Sequence, residues 1–216
     1  MTIHAPRQAR SAASLDRLLA AAEEVLRERS FDEAGLAEIA RRAGATVGAF
    51  YARFPGKEAL LRHLEERLYA GVDALVAAKA GALAAAARPL PALVRELLLA
   101  TIAFYREHRG TLRALTLRSR SDAELRARMD ETNRRNLAAL APAFAPHAAR
   151  IRHPDPVEAV PFAVLMAAHT LREAVLFGEP WLERAGWADE KLADELTRAV
   201  LAYLGVSADA DEVPAG

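Results

Sequence analysis

The side chains best equipped for chemistry cluster between positions 42 and 57: Arg42, Thr46, Tyr51, Arg53 and Lys57. They are hydroxyls and cations, the groups that donate to anionic oxygens. An exposed tyrosine hydroxyl donates to a phosphate oxygen, although a buried one would need an internal partner. Arg53 and Lys57 bring charge to the same task, and Lys57 opens a helix, where free N–H groups favour an anion. Arg41 and Arg42 read equally well as a solvated helix face. Elsewhere no reacting constellation assembles. The chain has no cysteine, which removes a thiolate nucleophile, a disulfide framework and a zinc–thiolate site. No two of His63, His108, His147, His153 and His169 stand four apart. HExxH, a phosphate-binding glycine loop and Gly-x-Ser-x-Gly are absent. The carboxylates fall in Glu/Arg surface pairs. The sequence therefore reads as a non-enzyme with no metal and no cofactor.

The elements that hold the cluster follow from apolar spacing and punctuation. Leu36, Ile39, Ala40 and Ala43 recur at helical spacing. Gly44 permits a sharp positive-φ turn, and Thr46 is a ready N-cap for a second helix. That helix runs from about Val47 to Arg53, with Phe50 and Phe54 on its inner side, until Pro55-Gly56 stops it. Two short helices joined by a tight turn make a helix-turn-helix, whose second helix enters a DNA major groove. A helix over 15–29, striped by Leu15, Leu18, Leu19, Ala22, Val25 and Leu26, holds the pair, and Phe31 plugs the small core.

The stretch FDEAGLAEIARRAGATVGAFYARFPGKE resembles the N-terminal DNA-binding domain of the tetracycline-repressor (TetR) family. Phe31, Ile39-Ala40, Ala43-Gly44, Thr46, Gly48, Phe50-Tyr51, Phe54 and the run Pro55 to Leu60 carry the resemblance, without a gap. It is specific over Leu15 to Leu61 and architectural beyond. It implies a double-stranded DNA operator as partner, contacted through Arg42, Thr46, Val47, Gly48, Ala49, Tyr51, Arg53 and Lys57, with Tyr51 on a phosphate. Three positions depart from the family pattern. Val47 replaces a frequent lysine, Ala49 a serine or threonine, and Ala34-Gly35 stands where a capping threonine is usual. Small apolar side chains meet a thymine methyl but cannot form bidentate hydrogen bonds to guanine or adenine. Base reading is expected to lean on van der Waals contact, the backbone near Gly48 and DNA shape.

Composition sets the frame. Of 216 residues, 52% are hydrophobic but only 6% aromatic, so the interior is Ala/Leu/Val and the fold class is all-α, with about nine helices. With 29 basic and 29 acidic residues the net charge is zero, which argues against a general charge-driven DNA binder but leaves room for a local basic surface. The first residues lack a secretory apolar segment and no uncharged apolar run reaches spanning length, so the expectation is a cytoplasmic protein with no membrane partner. Expected domains are a flexible arm over 1–14 with Arg7 and Arg10, a helix-turn-helix domain over 15–60, a helical ligand-binding and dimerisation domain over 61–205, and a disordered tail over 206–216. Helices are expected over 57–87, 92–108 (ended by His108-Arg109-Gly110), 111–117, 121–141 (broken by Pro142 and Pro146), 157–177 and 189–204, with a loop running to Pro156.

By the same resemblance the last two helices pair in a homodimer, through Leu165, Leu171, Val175, Leu192, Leu196, Val200 and Tyr203. On sequence alone they read equally as core helices of a monomer. A small-molecule effector is implied between the C-terminal helices. The polar residues on otherwise apolar helices mark its pocket: Tyr105, His108, Asn133, His169, Thr170 and Arg172, each also readable as a hydrogen-bonded core group. The implied function is a ligand-releasable repressor on a palindromic operator. The alternatives are a ligand-independent regulator or activator, and a helical small-molecule-binding protein with a vestigial helix-turn-helix.

Overall fold

The structure is a computed structural model that describes residues 7–85, 88–178, 182 and 184–206. Among the described residues it is all-α, without a strand. The helices are α1 (Arg7–Glu28), α2 (Leu36–Arg42), α3 (Val47–Tyr51), α4 (Lys57–Ala85), α5 (Leu90–Glu107), α6 (Arg109–Arg118), α7 (Ala123–Phe144), α8 (Pro156–Arg172) and α9 (Asp189–Tyr203). The chain divides into two compact units, one of Met1–Gly71 with His108–Arg126, the other of Val72–Glu107 with Ala127–Gly216.

In the first unit, Leu18, Ala22 and Val25 of α1 meet Ile39 and Ala40 of α2, with Phe50, Phe54, Leu60 and Leu64 behind them, all at most 1% exposed. α1 starts at Arg7, well ahead of the expected position 15. Nothing from Arg7 to Glu28 is a glycine or proline, and Gln8, Ala9, Arg10, Ala12 and Ala13 all favour a helix. Residues 1–6 of the expected arm lie outside the described residues, as do 86–87 of the expected long helix and 207–216 of the expected tail. Phe31 is only half-buried, its ring lying under the Lys57 ammonium 4.8 Å from the centroid. The Ser30 backbone N–H and hydroxyl both donate to Glu33 Oε2, at 3.1 and 2.7 Å, closing the turn between α1 and α2.

α5 ends at Glu107, where the His108-Arg109-Gly110 stretch was expected to end it, but Gly110 itself is not part of the break. It lies inside α6, where an added Cβ would stand 2.4 Å from both the carbonyl carbon and the oxygen of Leu26. Glycine here lets α6 lie directly on the backbone of α1.

In the second unit one apolar cluster gathers Leu90, Leu93, Val94, Leu98 and Ile102 of α5, Ala159, Ala163, Ala167 and Leu171 of α8, and Leu192, Leu196 and Val200 of α9. Arg95 and Arg106 of α5 tie to Asp194 and Asp189 of α9, with closest approaches of 2.6 and 2.5 Å. Pro142 does not break α7, which runs on to Phe144. The proline removes only the bond to the Ala138 carbonyl, and Ala138 is exposed, so that carbonyl is not buried unpaired. Pro146 falls in the first turn of a 3₁₀ helix (Ala145–Arg150) where a plain loop was expected. Pro156 opens α8, and the Asp155 carboxylate accepts from Glu158 N–H at 3.2 Å. A π-helical turn, Glu173–Gly178, continues the segment. By length and composition Pro156–Gly178 is apolar enough to cross a membrane, although, as expected, no uncharged run within it reaches spanning length. Its inner face, however, is spent in the core cluster, and Glu158, Arg172 and Glu173 charge its ends.

Candidate functional site

The turn before α3 is built as its residues require. Gly44 takes φ +63°, the left-handed region. The Thr46 hydroxyl accepts from Ala49 N–H at 3.1 Å and caps α3. Phe50 then faces inward, with its ring 5.1 Å from that of Phe54. That orientation leaves Val47, Gly48, Ala49 and Tyr51 exposed, Val47 by 43% and Tyr51 by 53%. The structure thus brings these four and Thr46 together on one exposed helix. Gly48 has no internal reason to be glycine. A Cβ there would meet only Thr46 Oγ1, at an ordinary 3.9 Å. Close packing within the chain is therefore not what the glycine serves.

The cations are engaged to differing degrees. Arg53 donates to Ser11 Oγ at 2.9 Å, a partner lying in the stretch expected to be a loose arm. Lys57 donates to the backbone carbonyl of Asp32 at 3.0 Å. Arg42 is the most heavily engaged of the three. Its guanidinium is held bidentately by Glu28, at 2.6 and 2.8 Å, and by Glu38 at 2.7 Å. These hydrogen bonds raise the arginine's pKa, Glu28 contributing most. The Arg41 hydrogen bond, followed by that of Arg42, holds the Glu38 carboxyl down at about 2. Arg42 is a clamp between α1 and α2. Its spacing from Glu38 is visible in the sequence; Glu28, fourteen positions away, carries no such signal. Gly35 caps α2 without a side-chain hydrogen bond, as the missing threonine implies.

The second unit contains an apolar cleft that opens to solvent at its mouth. Leu75, Val76 and Lys79 of α4 line it, with side chains from α5, α7, α8 and α9. None of Tyr105, His108, Asn133, His169, Thr170 or Arg172 is among the lining residues. Asn133, His169 and Thr170 are exposed, and the Thr170 hydroxyl donates to the Met166 carbonyl at 3.0 Å. Tyr105 packs beside the core cluster, and burial raises its pKa against the opposing pull of Arg172. Burial, then Arg172, lowers that of His169. His108 falls in the first unit.

The residues expected at a dimer interface divide sharply. Leu171, Val175, Leu192, Leu196 and Val200 are at most 8% exposed, in the chain's own core. Leu165 is 45% exposed; Tyr203 is half-buried, with its ring 5.2 Å from Phe162 and 4.9 Å from His153. The sequence reading missed Val157 and Phe162, which stand beside Leu165 as the large exposed apolar side chains of α8. Among the described residues no group of His, Asp or Glu could hold a metal ion.

Residues 18–64 match the family described as bacterial regulatory proteins, tetR family, and residues 89–204 match a tetracyclin repressor-like C-terminal domain. No curated protein is significantly similar in sequence. Among solved structures, a TetR-family transcriptional regulator from Mesorhizobium loti superposes with a TM-score of 0.68 at 22% identity, over 92% of this chain and 98% of that one. NalD, the secondary repressor of the MexAB-OprM multidrug efflux pump in Pseudomonas aeruginosa, gives 0.63 at 20% identity, over 92% and 99%. The regulator FadR from Bacillus subtilis, in complex with stearoyl-CoA, gives 0.60 at 21%, over 87% and 96%. At these identities the likeness is one of fold.

Proposed function

The chain belongs to the TetR family of bacterial regulatory proteins, and from that membership we propose that it is a ligand-releasable repressor, binding a palindromic operator as a homodimer. Members of the family are DNA-binding regulators rather than enzymes, and we assign this chain the same non-catalytic role in the cytoplasm. The observation that carries the reading is the outward face of α3. Val47, Gly48, Ala49 and Tyr51 are exposed on a capped helix, and Gly48 has no internal packing duty. A glycine inside a helix costs ~1 kcal/mol against alanine, which close approach of the backbone to DNA would offset.

In this reading α3 enters the major groove, and two copies meet half-sites about one helical turn apart or slightly more. Tyr51, Arg53 and Lys57 hold phosphates, while Val47 and Ala49 offer apolar contact to thymine methyls. The copies pair through the exposed apolar face of α8, at Val157, Phe162 and Leu165. The apolar cleft of the second unit takes the effector. Binding of stearoyl-CoA by the FadR relative and the repressor role of NalD support a ligand-responsive regulator. Release needs ~1–3 kcal/mol of coupling between ligand and DNA binding.

Selection of bound duplexes from a random DNA pool, at low and moderate salt, tests the reading. An enriched palindrome is expected. Enrichment of no sequence at either salt would overturn it and leave a small-molecule-binding protein with a vestigial helix-turn-helix.

A further inference from the structure

We propose that the cleft of the second unit binds an unbranched fatty acyl chain with a negatively charged head, the hydrocarbon inside and the head at Lys79. The proposal rests on the regulator reading above and names the effector of that same site. Its warrant begins with the wall. Of the 18 lining residues only Lys79 and Thr101 carry a polar side-chain atom. The Thr101 hydroxyl is already committed, donating to the Leu97 carbonyl at 2.8 Å. A ligand with polar groups along its length would bury them without partners. Phe144 is the single aromatic lining residue, so the wall offers little to stack a polycyclic ring upon. What remains is aliphatic contact. The space exists because Ala163, Ala167 and Ala168 fall on the cleft-facing side of α8, where larger side chains would close it.

Charge at the rim locates the head. Lys79 donates to Glu96 Oε1 at 2.9 Å, and Arg88 donates to Glu96 Oε2 at 2.6 Å. Two cations thus share one carboxylate, which leaves a surplus of one positive charge. The Lys79 side chain both lines the cleft and is 33% exposed, so it reaches between the cleft and water. An anionic head set there satisfies the surplus and stays solvated while the tail is buried.

Calorimetric titration of the purified protein, with no DNA present, tests this with decanoate, tetradecanoate, hexadecanoate, hexadecanol and palmitoyl-CoA. Affinity is expected to rise about fourfold per added methylene until the tail fills the cleft. Hexadecanol is expected to bind at least about tenfold more weakly than hexadecanoate, and Lys79→Met to erase that difference. Ala168→Phe is expected to weaken every ligand at least about tenfold by filling the cleft. Circular dichroism checks its fold, and Val76→Phe serves if Ala168→Phe does not fold. Comparing hexadecanoate with palmitoyl-CoA separates the free acid from the thioester as the source of the chain. Binding that ignores chain length, or survives a folded cleft-filling variant, overturns the proposal. Equal binding of hexadecanol and hexadecanoate overturns the placement of the head. A protein that selects an operator yet binds none of these ligands would sink this inference and leave the regulator reading standing. One that binds them but selects no DNA would do the reverse.

Discussion

At the scale of single residues, Gly48 and Glu38 separate roles that sequence alone leaves merged. Gly48→Ala is expected to stabilise the protein by ~1 kcal/mol, because a Cβ meets nothing closer than 3.9 Å. The same substitution is expected to weaken operator binding, since the methyl would stand between backbone and DNA. Thermal melts and anisotropy titrations check the two halves, and a stabler protein with unchanged affinity would remove Gly48 from the interface. Glu38 offers a pH test. Its carboxyl is held at about 2 against an ordinary 4.5, by Arg41 first and Arg42 second. A folded pKa below the unfolded one gives stability that is fully present above about pH 4.5 and lost as pH falls towards 2. Glu38→Gln should therefore melt lower than the parent at pH 7, and the gap should narrow as pH approaches 2.5, about half a unit above the folded pKa. A gap independent of pH would mean that Glu38 acts through something other than its charge.

At the scale of elements, the helices were legible where period and punctuation agreed. The spacing of Leu36, Ile39 and Ala40, the Gly44 turn and the Thr46 cap placed α2 and α3 closely. Punctuation misled where tertiary context overrode it. Pro142 sits in the last turn of α7, where it removes one hydrogen bond near an exposed position, and Gly110, just past the break after Glu107, marks a crossing of helices. Gly110→Ala is expected to destabilise the first unit by ~1–3 kcal/mol, since its Cβ would lie 2.4 Å from the Leu26 backbone. Denaturant unfolding reads this, and a neutral effect would contradict the close α1–α6 contact. The cleft was illegible for a different reason. Polar residues on apolar helices are the sequence signal for a pocket, whereas the observed lining is almost wholly apolar and so looks like core in the sequence. The same logic hid the exposed face of α8. Its internal stripe is small, through Ala159, Ala163, Ala167 and Leu171, while the larger Val157, Phe162 and Leu165 face outward and read as core in the sequence.

At the scale of the whole molecule, the proposed regulator is a dimer that reads DNA mainly by shape and apolar contact. The chain has no net charge, and Arg42 spends its own charge on Glu28 and Glu38. Leu165→Glu is expected to convert the dimer to a folded monomer in sedimentation analysis, because Leu165 is already 45% exposed. Operator affinity is expected to fall with it, by about 100-fold, as two linked heads become independent. A Leu165→Glu dimer would place the interface elsewhere. The most direct test of the central claim, that the outward face of α3 is the DNA-reading surface, is the affinity of Ala49→Glu for the selected palindrome, measured by fluorescence anisotropy beside a thermal melt. With Thr46 as cap, a glutamate three residues on completes a capping box and should hold or raise the melting temperature. On a surface pressed against DNA the same carboxylate is repelled. The account therefore expects a protein at least as stable as the parent that has lost about 100-fold or more in affinity. A stable Ala49→Glu protein that binds the palindrome as tightly as the parent would contradict it.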